Sequence, residues 1–118
     1  MVQSYRDLVA WKKAVDLVTE IYRLTRGFPK EEMFGLISQI RRAAVSIPGN
    51  IAEGHARSSR KEFQYFLSNA RGSVAELETQ LIISHNLGLI TEPELSRLLD
   101  QVAEVGRIIN GLLTALKK

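Results

Sequence analysis

The sequence predicts an all-α protein, an antiparallel up-down-up-down four-helix bundle occupying one domain over residues 1–118. Three observations carry this prediction. Four stretches repeat apolar residues at steps of three and four, and none alternates with the period of two that a half-buried strand requires. Only three short connections separate those stretches, which favours antiparallel neighbours. The composition, 45% hydrophobic and 25% charged, is that of a globular chain long enough to bury one core without disulfides or metals.

The first helix is expected from Ser4, an N-cap with Asp7 three residues on, to Arg26, where Gly27-Phe28-Pro29 ends it. The second spans Glu31 to Ala56, with Met33, Ile37, Ile40, Ala44, Ile47 and Ile51 on one stripe. Pro48 removes the hydrogen bond to the Ala44 carbonyl and disfavours helical geometry at Ile47. Because the apolar phase continues on both sides, this helix is predicted to be kinked near Pro48 rather than broken. The third begins after Ser59, an N-cap with Glu62 as its capping-box partner, and carries Phe63, Leu67, Ala70, Val74, Leu77 and Leu81 as far as Asn86. After the turn Leu87-Gly88-Leu89-Ile90, Thr91-Glu92-Pro93-Glu94 opens the fourth with a capping box and a proline in its first turn. Its apolar residues, from Leu95 through Val102 and Ile109 to Leu116, form the cleanest single stripe in the chain.

The first helix differs from the fourth in carrying two adjacent apolar stripes. One is Leu8, Trp11, Val15, Val18 and Tyr22; the other is Ala10, Ala14, Leu17, Ile21 and Leu24. So wide an apolar arc exceeds what one pair of neighbours buries, so the second stripe, with Ile82 and Ile83 of the third helix, is expected to form a homo-oligomer interface. The competing reading places the first helix centrally in the core.

Several function classes are disfavoured. The absence of cysteine excludes a thiolate nucleophile, a disulfide framework and cysteine-based metal sites, and suits a reducing compartment; a cytoplasmic location is expected. No window approaches a membrane span, and the N-terminus lacks the apolar core of a signal peptide. Ferritin-like di-iron bundles need Glu-x-x-His, but Ala52 stands three residues before His55 and Ile82 three before His85. No HExxH, phosphate-binding loop or GxGxxG is present, and no serine sits in a readable nucleophile elbow. Neither an enzyme nor a metal or other cofactor is expected.

The charges are more informative. The net charge of +3 conceals opposed blocks. Residues 41–71 hold six basic residues (Arg41, Arg42, Arg57, Arg60, Lys61, Arg71) against Glu53 and Glu62, an excess of +4. Residues 72–106 hold Arg97 against six acidic residues (Glu76, Glu78, Glu92, Glu94, Asp100, Glu104), or −5. Arg57, Arg60 and Lys61 cluster at one end of the expected bundle, with Tyr65 a turn away as a stacking face. Arginine forks suit phosphates, so one reading is phosphate-backbone binding of RNA or DNA with little base specificity. The other is an ordinary solvated face, or pairing with the acidic half of a neighbouring subunit. In the segment from Gln39 to Gly54, small residues permit close helix approach and place Asn50 and Glu53 near the packed side. A carboxylate there needs a partner, and Arg71 is the economical one, giving a structural polar cluster of Asn50, Glu53 and Arg71. Alternatively Arg41, Asn50 and Glu53 face a ligand.

The run Gln39-Ile-Arg-Arg-Ala-Ala-Val-Ser-Ile-Pro-Gly-Asn-Ile-Ala-Glu-Gly54 is followed by Arg57, Lys61-Glu-Phe, Gly72-Ser and Glu76-Leu-Glu-Thr-Gln-Leu, and preceded by Asp7-Leu-Val-Ala-Trp-Lys-Lys-Ala. With these the chain resembles, over nearly its whole length, the bacterial four-helix-bundle family whose members include proteins encoded by intervening sequences in 23S ribosomal RNA genes. The resemblance implies a ring-like homopentamer. It extends to accessory proteins of diversity-generating retroelements, which bind nucleic acid and a reverse transcriptase through basic surfaces. It implies Arg41, Arg42, Arg57, Arg60 and Lys61 as nucleic-acid contacts. A scaffold or adaptor binding a protein partner, with no nucleic-acid role, is the alternative.

Overall fold

The computed structural model describes residues 4–117. Four α-helices make up the fold: α1 (Val9–Thr25), α2 (Leu36–Ala56), α3 (Arg60–Asn86) and α4 (Glu92–Leu116), with short 3-10 turns at Tyr5–Asp7 and Lys30–Glu32. Each helix packs on its sequence neighbour and α1 also meets α4, closing an up-down-up-down bundle measuring 44 × 24 × 20 Å. Two ion pairs record that α1 and α4 run antiparallel: Lys13 with Glu104 at 3.3 Å, and Glu20 with Arg97 at 3.6 Å. One end of the bundle therefore holds the α1–α2 and α3–α4 connections, and the other holds the α2–α3 connection.

Two helix starts lie later than the sequence predicts. The Ser4 hydroxyl accepts from the Arg6 N–H at 3.1 Å, but what it caps is the 3-10 turn; Leu8 is extended (φ −71°, ψ 128°), and α1 starts at Val9 without a side-chain cap. The predicted first turn of the second helix is likewise absent. Gly35 has φ −113° and ψ −107°, outside the helical region, so the hydrogen-bond ladder cannot run from Glu31 into α2. Met33 consequently leaves the apolar stripe and, with Phe34, stands exposed. Beyond Gly35, α2 continues through the buried Pro48 to Ala56, as its unbroken phase predicts.

The caps of α3 and α4 match the sequence reading. The Ser59 hydroxyl accepts from the Glu62 N–H at 3.0 Å, and the Thr91 hydroxyl and Glu94 carboxylate close a reciprocal capping box. Between these helices Gly88 adopts φ +77°, with the Gly88 N–H donating to the His85 carbonyl and the Leu89 N–H to the Ser84 carbonyl, both at 2.9 Å. That pair of bonds is a Schellman motif, and its left-handed residue favours glycine.

Leu17 and Ile21 from α1, Ile40 and Ile51 from α2, Leu67 and Leu77 from α3, and Leu98 and Ile109 from α4 are fully buried in one core. Each such side chain contributes about 1.5–3 kcal/mol on leaving water. The second stripe of α1 belongs to this core. Ala10, Ala14, Leu17 and Ile21 are buried within the chain and Leu24 packs against them, so these five are not an open oligomer surface. The reason is steric: the small Ala10 and Ala14 let α1 approach its neighbours closely, while the bulkier Tyr22 is left at the surface. At the far end of α2, Gly54 performs the same service against α3, where a Cβ would lie 2.7 Å from Phe66 Cβ.

Candidate nucleic-acid interface

The five cations implied as nucleic-acid contacts do not form one patch. Sixteen residues separate Arg41 from Arg57, about 24 Å along the axis of α2. Arg41 is half-buried and engaged by its own chain: its Nε donates to Thr25 Oγ1 at 2.9 Å and its guanidinium lies over the Tyr22 ring, 4.4 Å from the centroid. Thr25, buried near the end of α1, in turn donates to the Ile21 carbonyl at 2.8 Å. Arg41 thereby clamps α1 to α2. Arg57 is neutralised by Glu53 at 2.7 Å and Glu62 at 3.6 Å, and stacks over Phe66. Arg42, Arg60 and Lys61 are exposed.

The expected polar cluster is not assembled either. Glu53 is exposed and pairs one turn along its own helix with Arg57, Asn50 donates to the Ser46 carbonyl at 2.7 Å, and Arg71 points elsewhere, to Asn110 Oδ1 at 3.4 Å. Glu53 sits on the outer side of α2, so no buried carboxylate demands Arg71. Ser46 instead crosses to α3, hydroxyl to hydroxyl, with Ser73. Ile82 and Ile83 are exposed, at 44% and 42%, but on different sides of α3. Ile83 lines a groove toward α2, whereas Ile82 lies one turn beyond Glu78 on the side facing α4.

Arg71 marks a more coherent surface. Antiparallel α3 and α4 leave a shallow groove between them, opened by the small residues Ala75, Ala103 and Gly106. Arg71, Arg107 and Asn110 line it, and beyond Arg71 it continues past Ser68 and Gln64 to Lys117. Gln64 Nε2 donates to the Leu116 carbonyl at 2.9 Å, which holds the α3 and α4 ends of the groove together. Arg60 and Lys61 precede Gln64 by about one turn, on the same side of α3. None of Arg71, Arg107 and Lys117 pairs with a carboxylate among the described residues. Glu78, at one end, is the single acidic residue lining the groove.

Sequence reasoning missed Arg107, Asn110 and Lys117. Their steps of three and seven along α4 and into its C-cap put them on a common side, a signal that a count of charge by sequence block cannot register. Among the described residues no group of three or more His, Asp or Glu side chains is placed to hold a metal ion. Among the described residues no helix is long and apolar enough to cross a membrane.

A family model described as 23S rRNA-intervening sequence protein matches residues 6–111. Among solved structures, the chain is similar to a protein of unknown function from the S23 ribosomal protein family of Bacteroides thetaiotaomicron. The two are 23% identical with a TM-score of 0.84, covering 90% of this chain and 96% of that one. That likeness concerns the fold. No curated protein matches the chain.

Proposed function

The chain belongs to the family of 23S rRNA-intervening sequence proteins, and from that membership and the α3–α4 groove we propose that it is a non-enzymatic, self-associating helical bundle that binds the backbone of RNA or DNA. The observation that carries this reading is the lining of the groove: Arg71, Arg107 and Lys117, without carboxylate partners among the described residues, beside the amides of Gln64 and Asn110 and the hydroxyl of Ser68. Guanidinium and ammonium groups neutralise phosphates and amide and hydroxyl groups fix backbone register, while the lining offers no aromatic ring on which a base could stack. Self-association multiplies the effect, because each added copy presents another groove to the same strand.

Fluorescence anisotropy with a labelled single-stranded RNA and its DNA counterpart tests the proposal. Three to five phosphate contacts predict a log–log salt slope of about −2 to −3.5 for a single strand. Between about 50 and 200 mM salt, that slope corresponds to an affinity loss of roughly 20-fold to 100-fold. Arg71→Glu with Arg107→Glu is expected to remove the binding, whereas Arg57→Glu, at a cation already neutralised by two carboxylates, is expected to leave most of it. Absence of binding at the lower salt, or an affinity untouched by the double substitution, overturns the assignment and leaves a scaffold for a protein partner.

A further inference from the structure

The turn that displaces the start of α2 builds a surface of a different character. Phe34 is 97% exposed, and beside it a groove of about 550 Å³ opens between α1 and α2. Tyr22, Met33, Ile37 and Val45, with Phe34 itself at the edge, supply its apolar wall, and Arg41 and Arg42 are its only charges among the described residues. Arg41 is already oriented by Thr25 and the Tyr22 ring, and Arg42 has no carboxylate partner among the described residues. The exposed turn has the opposite pattern, with Glu31 and Glu32 preceding Met33 and Phe34. An acidic turn ending in an aromatic, and an apolar groove rimmed by arginines, thus complement each other on one chain.

We propose that the Glu31–Phe34 turn of one copy docks into the α1–α2 groove of a second copy. Phe34 packs on Tyr22, Ile37 and Val45, and Glu31 and Glu32 face Arg41 and Arg42. This rests on the self-association in the functional reading and names the surface that performs it. The turn borders its own groove but leaves the Phe34 ring in water, where with the exposed Tyr22, Met33 and Val45 it forms a contiguous apolar patch of the kind that marks an interaction site. A buried aromatic at the centre with charge pairs at the rim is the usual anatomy of a contact whose affinity resides in one anchor. Made reciprocally, the contact closes a dimer; made in one direction, it closes a ring. It leaves the α3–α4 groove open in every copy.

Sedimentation equilibrium of the full chain over a micromolar concentration series provides the test, with far-UV circular dichroism to confirm that each variant remains helical. The wild type is expected to assemble at tens of micromolar. Phe34→Ser weakens assembly by at least about tenfold without loss of helix, since the ring makes no core contact. Arg42→Glu weakens it through repulsion from Glu31 and Glu32, and adding Glu31→Arg restores it. A wild type that stays monomeric at tens of micromolar overturns both the self-association and this contact. A wild type that assembles while Phe34→Ser assembles equally well overturns the contact alone, as does a double variant that fails to recover what Arg42→Glu loses.

Discussion

Gly54→Ala is expected to destabilise the bundle although alanine is the better helix former. On the helix alone the exchange would gain about 1 kcal/mol, because glycine loses more backbone entropy on folding. The new Cβ, however, would lie 2.7 Å from Phe66 Cβ and 3.0 Å from Phe63 Cδ1. Carbon atoms attract one another best at about 3.5–4.0 Å, so the overlap with Phe66 is close to 1 Å. The Phe66 atom is the first of its side chain and cannot swing aside, so α2 and α3 must separate. Overpacking of this kind costs about 1–3 kcal/mol, and a clash against a Cβ belongs at the upper end, leaving a net loss of about 2 kcal/mol. For a chain of this length, at about 4 °C per kcal/mol, Tm should fall by roughly 8 °C. Gly49→Ala, five residues earlier on the same helix, is the matched control. Nothing lies within 4 Å of its Cβ position and the site is exposed, so only the propensity gain applies, about 0.5–1 kcal/mol, and Tm should rise by a few degrees. Thermal unfolding followed by circular dichroism at one fixed protein concentration reads both. A Gly54→Ala protein as stable as the wild type would refute the close-packing argument.

Two further substitutions probe the connections at the opposite end of the bundle. Thr25→Val keeps the shape of the side chain but removes the acceptor for Arg41 Nε; the urea midpoint should fall by an amount equivalent to about 1–2 kcal/mol, since the hydrogen bond is to a charged group and the arginine retains some access to water. An unchanged midpoint would mean that Arg41 is not a clamp between α1 and α2. Gly88→Ala forces an L side chain into φ +77° and should cost about 1–2 kcal/mol in the same assay, with no steric contribution because the space beside it is open.

Much of the fold was legible because its signals are local. The serine and threonine caps of α3 and α4 act on N–H groups three residues away, and each was identified from a four-residue pattern that the structure reproduces. The beginnings of α1 and α2 were not legible on the same terms. Ser4 does cap a backbone N–H, but of a 3-10 turn, and the sequence pattern does not distinguish the two uses. Gly35 ends the turn before α2 with a backbone conformation that its identity permits but does not require. The site was less legible still. Arg57 carries the residue type expected of a phosphate contact, yet Glu53 and Glu62 neutralise it, while Arg71, assigned to a buried pair, is exposed in a groove.

What the sequence determined by itself is the number, order and approximate extent of the helices, and the antiparallel order that short connections impose. Periodicity and caps are properties of a few consecutive residues and survive whatever the helix later packs against. The tertiary structure decided which side of each helix faces what. Both stripes of α1 are apolar enough for the core; the stripe containing Ala10 and Ala14 lies at its centre, while Leu8, Trp11 and Val18 of the other pack at its edge, because the distance between helices, set by all the neighbours together, suits small side chains at the centre. The same holds for the charges. Arg71 and Arg107 stand thirty-six residues apart, and only the antiparallel packing of α3 on α4 makes them two walls of one groove.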